Sequence, residues 1–229
     1  MTKPEFRNRV LAGIGPDAQE FLGTRGTRRE IRSGDIIYDS GTRLSHAIFP
    51  HHGVISTISE MADGRIVEKS SVGHEGMVGF SVIMGGGTSL GKSVVQIAGE
   101  ACWVSMEDVD EALRRFDCVR AIMLRYAKSH IVELMESVAC TSLHTAQQRL
   151  SRWLLHAHDR VGSDTFYITQ EALANLLGLR RATVNAVCTG LMDAGAISYH
   201  RGSITVVDRS VLHDHACECY DRIVRTSLL

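Results

Sequence analysis

Arg180, Arg181, Thr183 and Asn185 lie almost side by side in the chain, and each is of a type that bonds nucleic acid. Arginine can pair with both acceptors on a guanine edge, asparagine can pair with an adenine edge, and a threonine hydroxyl can bond a phosphate. They open a stretch in which Val184, Val187 and Leu191 recur at steps of 3 and 4, the spacing of a helix with one buried face. Polar residues at the N-terminal end of such a helix are placed to meet base edges in a major groove. Thr169, at the start of the preceding helical stretch, and Arg201, in a tight turn beyond, are further phosphate candidates.

The elements that must position these residues are legible around them. Residues 144–161 are amphipathic, with Ala146, Leu150, Trp153, Leu154 and Ala157 on one side. Phe166-Tyr167-Ile168 is strand-like, and Thr169 caps a helix through Leu173, Ala174, Leu176 and Leu177 that stops at Gly178. A second helix follows to about Asp193, then a strand pair, 197–200 and 204–207, joined at Arg201-Gly202-Ser203. Helix, tight glycine turn, helix and hairpin is the order of a winged helix-turn-helix. Residues 143–209 hold seven arginines against five acids, a net +2, whereas residues 1–142 are net −2. With −1 on the whole chain, a polyanion site must be local.

The N-terminal half predicts β structure. Ile36-Ile37-Tyr38, Ala47-Ile48-Phe49, Val54–Ser59, Ile66-Val67, Val94–Ile97 and Cys102-Trp103-Val104 are short apolar runs broken by glycine, as in a sandwich or small barrel. Asp63-Gly64 predicts a type I′ hairpin turn. Residues 5–23 predict a helical lead-in. From Asp117 to about Cys140 there is neither proline nor glycine, and Asp117 is placed to cap one long helix. Met123, Ala127, Ile131, Leu134 and Val138 form one apolar stripe on it, and Val119, Ile122 and Tyr126 a second. Two stripes need two partners: one is the β domain, and the other is the same helix of a second subunit. The same pattern also suits a helix buried in one subunit.

Other classes find little support. There is no GxSxG elbow, P-loop, HExxH or dinucleotide fingerprint, so no enzyme is expected. No apolar run is long enough to cross a bilayer and the N-terminus is unlike a secretion signal, which predicts a cytoplasmic chain without membrane contact. The cysteines at 102, 118, 140, 188, 217 and 219 contain no CxxC pair, which argues against a zinc ribbon or a cysteine-ligated cluster.

Over nearly its whole length the chain resembles the Crp/Fnr (catabolite activator) family of bacterial transcription regulators. The matching stretches are the glycine-punctuated 30–104, the helix 117–140, and TQEALANLLGLRRATVNAVCTGLMDAGAI followed by YHRGSITVVD. The resemblance implies an α+β chain. Residues 1–116 form a cyclic-nucleotide-binding-type, jelly-roll-like β-roll, 117–142 a dimerisation helix, and 143–229 a winged helix-turn-helix. It implies a homodimer on a near-palindromic duplex site with half-sites about 34 Å apart, RNA polymerase as a partner, and a small-molecule effector acting through a hinge at 140–145. A sensor module acting on a protein partner is the alternative, and it leaves Arg180, Arg181 and Asn185 without a role.

The effector pocket departs from the family pattern. Aligned on it, Lys92-Ser93 stand where cyclic-AMP-binding members have an Arg-Ser pair, and Phe80 after Gly79 stands where they have a glutamate. Lysine lacks the bidentate fork, and phenylalanine accepts no hydrogen bond from a ribose. Cyclic AMP is therefore not expected; the cofactor is unknown, another ligand or none. No cysteine precedes position 102, against the N-terminal cluster of oxygen-sensing members, whereas His46, His51, His52 and His74 leave haem open. In HDHACEC, His213/Cys217 and His215/Cys219 are i, i+4 pairs that could each clamp a soft ion if one helix ran from Val211 to about Val224. No single helix face carries all four, and inward-packed cysteines account for the pattern, so no metal is expected.

Overall fold

The computed structural model describes residues 6–227, and its contacts divide the chain into two compact units. One comprises 6–57 with 71–131; the other comprises 58–70 with 132–226. The long helix is shared between the units, and a short hairpin segment is grouped with the C-terminal part.

In the N-terminal unit, α1 (Arg9–Ala12) and α2 (Pro16–Arg25) form the lead-in. Asn8 caps α1 through Oδ1 and donates from Nδ2 to the carbonyls of Pro50 and Gly76 at 3.0 and 2.7 Å, so this fully buried amide is satisfied. Five strands follow: β1 (Thr27–Ile31), β2 (Ile36–Tyr38), β3 (His46–Glu60), β4 (Ile66–Val72) and β5 (Lys92–Ser105). They share one sheet, ordered β1-β5-β3-β4 with β2 also on β5. Apolar runs expected to be separate are fused in β3 and β5, because Gly53 and Gly99 do not end their strands. A Cβ on Gly99 would collide with the carbonyl oxygen of His52, so glycine here permits close backbone approach. The 61–65 turn also differs from expectation. Only Gly64 has positive φ, and its N–H donates to the carbonyl of Met61 at 2.9 Å, so this is not the predicted type I′ geometry.

α3 (Met106–Arg115) and α4 (Asp117–Leu143) complete this part of the chain. Asp117 is the first residue of α4, a boundary difference of the usual size. Val119, Ile122, Met123 and Tyr126 are buried with Phe49, Ile48 and Leu22 in one core. Met123 was expected on a subunit interface; at 1% exposure it is instead a core residue, because the apolar residues of its turn face the sheet. Ala127 is also buried, Leu134 is half-buried, and Ile131 and Val138 are 45% and 70% exposed. Leu124 and Met135, outside the expected stripe, are 52% and 67% exposed.

The C-terminal unit contains α5 (Ala146–Val161), β6 (Thr165–Tyr167), α6 (Gln170–Leu177), α7 (Arg181–Asp193), β7 (Ile197–His200), β8 (Ser203–Val206), α8 (Arg209–Asp214) and α9 (Cys219–Thr226). α5 begins with a capping box between Thr145 and Gln148, so the expected hinge at 140–145 reduces to the break at His144-Thr145. Leu150, Leu154 and Leu155 of α5, Leu173 and Leu177 of α6, and Val184, Cys188 and Leu191 of α7 are buried. On the inner face of α7, Val184, Cys188 and Leu191 keep a 4, 3 step and are buried, and Val187 is half-buried beside them. The expected helix from 211 to 224 is broken between Asp214 and Cys219, so the i, i+4 pairing of its histidines and cysteines does not exist.

Behind the helices, Arg209 donates to the Tyr220 hydroxyl at 2.6 Å and pairs with Asp159 at 2.8 Å, while Tyr220 donates to Asp159 at 2.7 Å. The neighbouring His156 stacks obliquely on Tyr220, and its Nε2 is sealed from solvent without a partner among the described residues. Burial, with the Arg160 charge second, pushes its pKa down to about 3. The folded chain thus holds His156 neutral at pH values where the unfolded chain protonates it. Stability should fall as pH drops from about 6.5 towards 4, by up to about 1.4 kcal/mol per pH unit from this group. Urea unfolding at pH 7 and pH 5, compared with His156→Gln, checks this: the variant should lose part of the pH slope.

Candidate nucleic-acid interface

Gly178, at φ +62, ends α6 in a left-handed cap whose N–H groups satisfy the carbonyls of Ala174 and Asn175. Ala174 of α6 is 4% exposed. Arg149 of α5 donates to the Leu177 carbonyl at 2.5 Å, tying the turn to the supporting helix. This fixes where α7 starts, with Arg180 as its N-cap residue.

Arg180, Arg181 and Asn185 are exposed on the outer face of α7, and Thr183 is half-buried. No hydrogen bond or ion pair among the described residues engages the side chains of Arg180, Arg181 or Arg201. Thr169 caps α6, its Oγ1 accepting from Ala172 N at 3.1 Å, which leaves its hydroxyl proton for an outside acceptor. The wing, the two-residue Arg201-Gly202 turn between β7 and β8, has both residues at positive φ, +47 and +85. This is the type I′ geometry expected earlier in the chain. A Cβ on Gly202 would come within 2.6 Å of the Tyr167 ring, so glycine lets the wing lie against β6.

One shallow hollow gathers three of the six predicted residues, Thr169, Arg181 and Arg201, with Gln170 and Tyr199 beside them. Glu171 is the one acid on its wall. Two unpaired guanidiniums, a hydroxyl and the N-terminus of α6 make it suited to a phosphate. Arg180, Thr183 and Asn185 lie outside it, along the helix. Gln170 and Tyr199 were missed by sequence reasoning, since nothing local to 199 signals that its strand closes this hollow.

The predicted effector residues belong to the turn at 79–84 and to the start of β5. Gly79, at φ +95, precedes a short 3-10 turn, Phe80–Met84, and Phe80 packs edge-on against Tyr126 and His130 of α4 at 6.0 and 4.8 Å. Lys92 and Ser93 open β5, where Ser93 is buried opposite Tyr38. Of the roll histidines, His51 is buried, stacks with Phe6 and has its pKa pushed down to about 4, first by burial and then by Arg28. His46 bonds Ser45 and His52 bonds Arg7.

The glycine turn, the exposed polar start of α7 and the wing define a winged helix-turn-helix, a DNA-binding class. Residues 148–214 match the Crp-like helix-turn-helix domain. FixK2 from Bradyrhizobium japonicum is similar in structure over 84% of this chain and 98% of its own, with a TM-score of 0.71 at 16% identity. A Crp/Fnr-family regulator from Eubacterium rectale matches over 91% and 97%, with a TM-score of 0.67 at 16% identity. The c-di-GMP-responsive regulator CLP from Xanthomonas campestris matches over 85% and 100%, with a TM-score of 0.66 at 14% identity. No curated protein matches in sequence. The chain carries a Crp-like helix-turn-helix domain and has the fold of the Crp/Fnr transcription regulators.

Proposed function

We propose that the chain is a DNA-binding transcription regulator that acts as a homodimer on a near-palindromic duplex site. The observation that carries this is the unpaired start of α7, with Arg181 sharing a hollow with Thr169 and the wing residue Arg201. Arg180, Arg181 and Asn185 read base edges; Thr169, Thr183 and Arg201 hold phosphates. Two such helices related by a dyad fit half-sites about 34 Å apart. The dyad runs along α4, through its exposed apolar residues, and RNA polymerase is the partner at the promoter in the cytoplasm.

The N-terminal unit is the sensor, and no catalytic step is assigned to it. Lys92 and Ser93 at the start of β5 and the 79–84 turn are where an effector other than cyclic AMP would bind. Phe80, between that turn and Tyr126 and His130, supports coupling to α4.

Fluorescence anisotropy on labelled fragments of the DNA upstream of the chain's own gene tests the reading. Arg181→Ala should weaken specific binding by about 1–3 kcal/mol, roughly 5- to 150-fold, and leave binding to unrelated duplex less affected. Equal affinities for wild type and variant would remove Arg181 from the site, and no shift with any upstream fragment would sink the reading.

A further inference from the structure

Four soft donors converge at the foot of α4. Cys140 comes from the last turn of α4 and His144 from the break that follows it; Cys217 lies in the break between α8 and α9, and Cys219 is the first residue of α9. The three sulfurs and one imidazole nitrogen all lie within 4.8 Å of one another. Cys140 Sγ is 3.5 Å from Cys217 Sγ, and Cys219 Sγ is 3.6 Å from His144 Nδ1. All three cysteines are buried, and His144 is half-buried at the edge.

We propose that Cys140, His144, Cys217 and Cys219 bind one zinc ion, which pins the turn between α4 and α5 to the C-terminal segment. Zinc–sulfur and zinc–nitrogen bonds of about 2.3 and 2.0–2.1 Å, set at tetrahedral angles, place two sulfurs about 3.8 Å apart and a sulfur and a nitrogen about 3.5 Å apart. The two short separations already match those edges, and the others need only a modest contraction. The set is three cysteines and one histidine with no open position, the pattern of a structural rather than a catalytic zinc. Its size suits one ion, and its thiolate character selects zinc over the hard cations.

The surroundings support a ligand set rather than a patch of small apolar groups. His144 presents Nδ1 to the sulfurs, and its Nε2 is 3.3 Å from the Glu218 carboxylate. A carboxylate on the far nitrogen is what fixes the tautomer and orientation of a zinc-bound histidine. Three thiolates and one zinc carry a net −1, and the Arg152 charge lies near enough to act on Cys140. The two histidines that precede the cysteines in sequence are engaged elsewhere: His213 with Asp221 at 3.1 Å and His215 with Gln147 at 2.8 Å. Cys140 and Cys217 are 77 residues apart, so one ion here closes a long loop that contains the whole helix-turn-helix.

The test is metal analysis of the full chain purified without chelator and exposed to zinc alone, followed by cobalt replacement. One zinc per chain is expected, with the absorption bands of tetrahedral thiolate-bound cobalt after exchange. Cys140→Ser and Cys217→Ser should each abolish stoichiometric zinc, whereas Cys118→Ser and Cys188→Ser should retain it. Glu218→Gln, which keeps every ligand and so does not endanger the fold, should weaken zinc binding about 10- to 100-fold. A chain that is folded yet binds no zinc, one that retains zinc in both Cys140→Ser and Cys217→Ser, one isolated with a Cys140–Cys217 disulfide, or one that carries iron and sulfide would each overturn the proposal. So would an unchanged affinity in Glu218→Gln, for the role given to that carboxylate.

Discussion

Replacing Ile131 and Val138 together by aspartate should convert the chain to a folded monomer and reduce specific DNA binding by several orders of magnitude. Leu124, Ile131, Met135 and Val138 step along α4 at 7, 4 and 3 and are 45% to 70% exposed in the single chain. That spacing suits the seam of the helix pair proposed above. Burying an Ile or Val side chain is worth about 1.5–3 kcal/mol. Two residues on each of two protomers make roughly 6 kcal/mol or more, which is about four decades in the dimer dissociation constant. Because neither side chain is buried in the monomer, its own stability should change by only about 0.5 kcal/mol. Sedimentation velocity reads the first effect and urea unfolding the second. A dimer that survives both aspartates would place the two-fold axis elsewhere. Met123→Ala should do the reverse, lowering the stability of the N-terminal unit without dissociating the dimer.

Leu154→Ala should destabilise the C-terminal unit by about 2–5 kcal/mol, a large fraction of the roughly 5–15 kcal/mol that holds a domain folded. Leu154 is fully buried on α5, the helix that supports α6 and α7. The cavity left behind removes packing from beneath the DNA-reading helix as well as apolar burial. Leu143→Ala is the contrast: 78% exposed, it should move stability by about 0.5 kcal/mol at most. The chain has two tryptophans, one in each unit, so fluorescence of single-tryptophan variants can report them separately. The transition seen through Trp153 should move to lower urea in Leu154→Ala, and the transition seen through Trp103 should move less. Equal shifts would mean that the two units unfold as one cooperative block.

The helix-turn-helix was legible because its signals are local. Thr169 caps, Gly178 takes a left-handed turn that a side chain resists, and apolar residues recur at helical spacing, so α6, α7 and the wing follow from neighbours in sequence. The β half was legible as strands but not in their lengths, since glycine signals a break and a close approach alike; at Gly53 and Gly99 it was the approach.

The residues of α4 were foreseeable as a helix with two apolar stripes, but which stripe faces inward was not. Periodicity gives spacing around an axis and leaves the axis free to rotate against its partner; the sheet buried Met123 and left Leu124 and Met135 outside. The four soft donors were beyond the sequence for a related reason. HDHACEC reads as its own cluster, whereas the cysteines meet Cys140 and His144 from the other side of the helix-turn-helix, because the chain breaks at 215–218 and folds back. What neighbouring residues encode is which elements form and where they stop. Which distant side chains share one small volume is decided by packing between elements, and that existed only once the chain had folded.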